Sequence, residues 1–210
     1  MEYVLIAVAA FLVSGLTLFS GFGLGTLLLP VFALFLPVEV AVAATAVVHG
    51  ANNVMKTAVV GRNADRELVL KFGLPAVGAA LVGAALLGMM SSLESLTTYQ
   101  IGGRTAVVTP LKIVMGLLMA GFALFELMPR LRDLRFSRKR LYIGGLLSGF
   151  FGGLSGHQGA LRSAFLVKAG ISTEAFVGTN AVIGLVVDAA RILVYAALAT
   201  GGGFAGLSGE

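Results

Sequence analysis

Hydrophobic residues run at 3–36, 38–60, 72–90, 109–128, 141–169 and 173–199, separated by short polar stretches. Each run is long enough to cross the ~30 Å hydrocarbon core of a bilayer as a helix, and no soluble-domain-sized stretch remains between them. The pattern predicts an all-α polytopic integral membrane protein. Two runs are anomalous. Residues 3–36 are too long for one ordinary span and too short for two straight ones, and their centre reads SGFGLGT. That predicts a helix that breaks at the glycines and resumes at a new angle. Residues 141–169 repeat the design around GGLSGHQG.

Composition agrees: 58% hydrophobic and 12% charged residues, with a mean hydropathy of +0.97, exclude an ordinary soluble domain. The first run is not a signal peptide, because it carries the acidic Glu2 and no small-x-small cleavage site. A net charge of +5 would suggest a nucleic-acid partner in a soluble protein. Here the cations gather in two loops instead. Arg62, Arg66 and Lys71 lie in 61–71, and Arg130, Arg132, Arg135, Arg138, Lys139 and Arg140 lie in 129–140. Both loops are expected on the cytoplasmic side of the membrane, with the 91–108 connection between them outside. The chain has no cysteine, hence no disulfide framework and no thiolate metal site.

Sliding the chain by 135 positions, from 20 to 155, lays 20–56 on 155–191. Ser20 meets Ser155, Gly21 meets Gly156, Glu39 meets Glu174, Val42 meets Val177, Ala46 meets Ala181 and Val47 meets Val182. Polar positions recur too: Thr45 falls on Asn180, Asn53 on Asp188 and Lys56 on Arg191. The expected organisation is a first membrane repeat over 1–128, a basic cytoplasmic loop over 129–140 and a second repeat over 141–210. A full repeat of this period would need roughly 270 residues, so the second is expected to be reduced. The tail TGGGFAGLSGE stands where the first repeat has a basic loop, yet it has no cation. That favours the opposite side and inverted repeats.

Breaking a helix in lipid exposes backbone groups at several kcal/mol each, so breaks survive where they are buried in protein or line a cavity. A freed helix N-terminus offers N–H donors and partial positive charge to an anion, and glycines allow close approach. The alternative is that the glycines only permit close helix packing. Neither glycine stretch is a nucleotide site, since no Gly-Lys-Ser/Thr ending follows. Beside the second break stands Arg162, a planar fork of donors matched to oxyanions, with His157 and Gln158 as further donors. Arg162 could instead snorkel to the interface or pair with a carboxylate. Asn52, Asn53 and Lys56 share about one helical turn, as do Thr179 and Asn180. Asp188 stands three residues before Arg191 and reads as a structural ion pair.

The Gly-rich break followed by an apolar stretch with Pro30 and a helix opening PVEVAVAATAVV recurs in the second half as SGHQGALRSAFLVKAGISTEAFVGTNAVI. This arrangement resembles the TauE/SafE-type sulfite exporters, also called the toluene-sulfonate uptake permeases, over nearly the whole chain. The resemblance implies a bacterial inner-membrane, multi-pass carrier for small sulfur-containing anions such as sulfite or organosulfonates. The second half departs from the family: Gly156, His157, Gln158 and Gly159 replace its usual Gly-x-Gly-Gly-Gly run, and Phe165 its usual proline.

The leading reading is therefore a secondary anion carrier, not an enzyme. Its expected site is Ser20, Gly21, Gly23, Thr26, Asn52, Ser155, Gly156, His157, Gln158, Arg162 and Asn180. Its partners would be the lipid bilayer and a small anion, with no cofactor, metal or nucleic acid. A permease for another small anion is the first alternative. An intramembrane hydrolase built on Ser155, His157 and Asp188 is the second, and a membrane scaffold the third.

Overall fold

The computed structural model describes residues 7–8, 10–13, 15, 24–128, 130 and 136–204. Seven helices dominate these residues: α1 (Leu24–Ala33), α2 (Val38–Val60), α3 (Arg66–Ser91), α4 (Pro110–Leu127), α5 (Leu141–Ser155), α6 (Gly159–Leu166) and α7 (Thr173–Thr200). Three of them, α3, α4 and α7, are long and apolar enough to cross a membrane. The chain is an all-α membrane protein with one small addition. The 91–108 connection, given no secondary structure by the sequence pattern, forms an antiparallel hairpin of β1 (Thr97–Ile101) and β2 (Arg104–Val108). Gly102 and Gly103 take positive φ at its turn, and the flanking threonines, valines and isoleucine suit a pleated strand.

Helix ends follow local chemistry. The side chains of Asp65, Thr109 and Ser172 accept from the backbone N–H groups of Leu68, Lys112 and Ala175, capping the starts of α3, α4 and α7. Pro110 then occupies the first turn of α4, where a missing N–H costs nothing.

The tightest packing joins α3 to α5. Gly145, Gly149 and Gly153 recur every fourth residue, and a Cβ on each would fall 2.3, 2.0 and 2.0 Å from the carbonyl oxygens of Phe72, Ala76 and Ala80. Only small residues allow backbones this close, and in lipid such contact is a main source of helix association. Gly153 belongs to the GGLSGHQG stretch, so part of that stretch is packing surface and not break.

Helices α2 and α7 cross antiparallel. The start of α7 lies at the end of α2, where a Cβ on Gly178 would stand 2.5 Å from the Val60 carbonyl oxygen. Thr179 Oγ1 accepts from the Asp65 backbone N–H at 2.9 Å. Midway along, Asn53 meets Asp188, and further on Gly50 meets Ile192. The described end of the second basic stretch, 136–140, lies against the first. Glu67 pairs with Lys71 at 2.6 Å and with Arg138 at 2.8 Å, and Phe136 stacks on Phe165 with ring centroids 4.2 Å apart.

Candidate functional site

The second break is built by α5, which ends at Gly156 with φ +83°, a conformation that glycine adopts without the Cβ penalty. His157 and Gln158 make the turn and α6 resumes at Gly159. Gly25 of α1 abuts this turn: a Cβ on it would lie 2.9 Å from the Gly156 carbonyl oxygen. The two glycine segments therefore meet in space. Ser20, Gly21 and Gly23 lie outside the described residues, so the expected first break is seen only from Leu24 onward.

A buried polar network runs inward from the break. Arg162 donates through Nε to Asn180 Oδ1 at 2.7 Å and through Nη1 to Gln158 Oε1 at 2.9 Å. Gln158 Nε2 donates to Asp188 Oδ1 at 2.7 Å, and Asn53 Nδ2 donates to Asp188 Oδ2 at 2.6 Å. Arg191 Nε donates to the same Asp188 Oδ1 at 2.9 Å and its Nη1 donates to the Gly152 carbonyl at 3.1 Å. Nη2 of Arg191 lies 2.7 Å from Asp188 Oδ1 but out of line for a hydrogen bond. Tyr195 donates to the Gly153 carbonyl, closing the inner end.

Charge in this network is unbalanced. Asp188 and Arg191, both fully buried, neutralise each other, although Nη2 of Arg191 keeps no hydrogen-bond partner among the described residues. Arg162 is 4% exposed, and it donates to two neutral amides, Asn180 and Gln158. It does not snorkel to an interface. A buried cation carries a penalty of several kcal/mol that neutral donors and acceptors only partly offset, and an anion offsets it directly. Nearby, Thr45 Oγ1, His49 Nε2, Asn52 Oδ1 and His157 Nε2 are buried with no protein partner among the described residues. Buried polar atoms of this kind are ordinarily satisfied by water or ligand.

Ser155 and His157 are coupled, but not as a hydrolytic set. The Ser155 hydroxyl donates to the Phe151 carbonyl at 3.0 Å, so the His157 Nδ1 contact at 3.0 Å is served by an N–H on the ring. In the neutral ring Nε2 then holds a lone pair, and His157 can donate to an anion there only as imidazolium. Asp188 does not orient this ring, because its oxygens are taken by Asn53, Gln158 and Arg191. Phe122 instead lies flat on His157, with centroids 4.8 Å apart and planes 8° apart.

Of the expected site residues, Ser155, Gly156, His157, Gln158, Arg162 and Asn180 come together. Thr26 turns its hydroxyl to Glu126 Oε1 at 2.9 Å, and Asn52 is buried on α2 one turn from His49. The expected Asp188–Arg191 ion pair is present, and Asp188 is also the hub that joins Asn53 and Gln158 to it. Sequence reasoning passed over Glu126, whose signal was a carboxylate inside the 109–128 apolar run. Phe122 left no signal, since one phenylalanine in an apolar helix is ordinary. Among the described residues no group of three or more His, Cys, Asp and Glu side chains could hold a metal.

Compared with known families, residues 5–208 match the family described as Sulfite exporter TauE/SafE. No curated protein and no solved structure matches the chain.

Proposed function

The chain belongs to the sulfite exporter TauE/SafE family of membrane exporters and permeases, and we propose that it is a secondary carrier of sulfite or short organosulfonates in the bacterial inner membrane. The observation that carries this reading is the buried guanidinium of Arg162, held by two neutral amides next to the Gly156 turn and the Gly25 contact. Arg162 supplies charge, and the N-terminus of α6 adds its first N–H groups and partial positive charge to the same place. Gln158 and Asn180 hold the arginine without neutralising it. Their amides fix its orientation, so the fork need not reorganise when an oxyanion arrives.

Transport requires access from two sides in turn. The two halves are read as inverted repeats, α1 and α2 corresponding to α6 and α7, with the anion between them and one repeat moving against the other. The antiparallel crossing of α2 and α7 supports inverted over parallel repeats. Permeation of a different small anion uses the same charge logic and is separated by substrate range alone. The hydrolase alternative is disfavoured by the missing carboxylate behind His157. A scaffold gives no reason to bury a cation among neutral amides.

The test is flux in proteoliposomes reconstituted with the full chain, measured for sulfite, short organosulfonates, sulfate and chloride, with and without a pH gradient. Saturable uptake of the sulfur oxyanions, competed by one another, is expected. Absence of flux for every anion, with the protein inserted and folded, would remove the carrier reading.

A further inference from the structure

A furrow runs along the outer surface where α3 and α5 meet. Its apolar walls include Leu74, Gly78, Val82, Tyr142, Leu146 and Phe150, enclosing about 820 Å³. Its floor is sealed, because the glycines of α5 press against the α3 backbone, so it does not reach the buried network. A Cβ on Gly78 would meet nothing within 4 Å, which leaves a notch in the α3 wall. From Leu74 to Val82 the furrow follows α3 for about 12 Å at 1.5 Å per residue.

The end of the furrow is charged. Leu74, Pro75 and Tyr142 also line a second hollow of about 380 Å³, whose remaining walls include Lys71, Arg138 and Lys139. Glu67 contacts two of these cations, at 2.6 and 2.8 Å, in pairs that are about half exposed. Pairs of that kind contribute little and exchange readily. Three cations against one carboxylate leave a positive rim, and it lies where 136–140 meets the first basic stretch. An apolar trough that ends in a positive rim, with Tyr142 at the junction, has the layout of a phospholipid: hydrocarbon below, phosphate above.

We propose that this furrow binds an anionic phospholipid, with an acyl chain along α3 and α5 and its phosphate held by Lys71, Arg138 and Lys139. Soluble phosphate would leave the apolar trough without a role. A second copy of the chain, packed face to face across a two-fold axis, would bring two positive rims together.

The experiment uses the purified full chain in mild detergent, with native mass spectrometry and thermal unfolding as readouts. The probes are phosphatidylglycerol, phosphatidylcholine of the same acyl chains, and inorganic phosphate. Phosphatidylglycerol should be retained preferentially and raise the unfolding temperature. Its binding should weaken about fivefold for each cation removed in Lys139→Gln and in the Arg138→Gln/Lys139→Gln double variant. Gly78→Leu, which fills the notch from an open helix position, should weaken both lipids. Equal retention of the two lipids by the unaltered protein would overturn the proposal, and that comparison needs no variant to fold. So would an equal effect of inorganic phosphate, unchanged lipid binding in the double variant, or a change of oligomeric state in Gly78→Leu without loss of lipid.

Discussion

Asn53 donates a 2.6 Å hydrogen bond to Asp188, and the two residues stand 135 positions apart. Helices α2 and α7 start at Val38 and Thr173, so their starts are separated by that same 135. For two antiparallel helices related by a two-fold axis in the membrane plane, residues at equivalent positions touch only where the axis passes. Inverted repeats with their axis between Asn53 and Asp188 account for the offset, the antiparallel crossing and the contact together.

Removing either partner should be costly, and unequally so. Asn53→Ala deprives one buried carboxylate oxygen of its donor and should destabilise by about 1–3 kcal/mol. Asp188→Asn leaves Arg191 buried without its anion and should cost about 3–5 kcal/mol. The exchange variant Asn53→Asp/Asp188→Asn returns a carboxylate across the axis, within one turn of Lys56, and should recover part of the second loss. Unfolding in detergent measures all three. An exchange variant no better than Asp188→Asn would argue against a two-fold placement of this pair.

Topology is tested through Asn63 and Ser137, which lie on either side of the Glu67–Arg138 pair. Single cysteines at these positions, in a chain with none of its own, should both be labelled by an impermeant thiol reagent from the cytoplasmic side. A cysteine in the β1–β2 hairpin, at Gln100, should react only from the other side. Opposite labelling of 63 and 137 would contradict the contact of 136–140 with the first basic stretch.

The close approach of α1 to the second break predicts that Gly25→Val forces the chain away from the Gly156 carbonyl, because a Cβ at 2.9 Å from a backbone oxygen cannot be relieved by a rotamer change. Gly156→Val adds a strained positive φ, typically about 1–3 kcal/mol. Both variants should reduce flux more than membrane abundance. Gly116→Val, at a helix position with open space around it, should do neither. Full flux from Gly25→Val and Gly156→Val would leave these glycines as packing residues.

Much of the architecture was legible because lipid imposes one rule: spans are apolar, helical and about as long as the bilayer is thick. The bounds of α2 and the interruption at Gly156 follow from that rule, and the basic loops from charge asymmetry. Three features were not legible. The hairpin at 97–108 is too short and exposed for its alternation to stand out. The role of Gly145, Gly149 and Gly153 in packing depends on which helix faces them, which no local pattern states. The hub position of Asp188 depends on Gln158 and Asn53 arriving from two other elements, and sequence spacing showed only its neighbour three residues on.

Arg162 separates the carrier reading from a purely structural one. Its Nε and Nη1 are committed to Asn180 and Gln158, so an oxyanion would meet the remaining Nη2 side together with the start of α6. Arg162→Lys keeps the charge but cannot hold both amides and the ligand, since an ammonium has no fixed fork. Affinity for sulfite should fall measurably in Arg162→Lys and further in Arg162→Gln, where loss of a desolvated charge partner corresponds to about 2–5 kcal/mol, or roughly 30-fold and more. Stability should move the other way in Arg162→Gln, because a buried cation with only neutral partners is removed. A structural arginine makes the opposite forecast, with stability lost and affinity retained in whatever protein still folds. Binding isotherms for sulfite and unfolding in the absence of substrate, measured on the three proteins at equal purity, distinguish the two patterns. Unchanged affinity across the series would move the anion away from Arg162 and leave the junction of Gly25 with Gly156 as the remaining place to look for it.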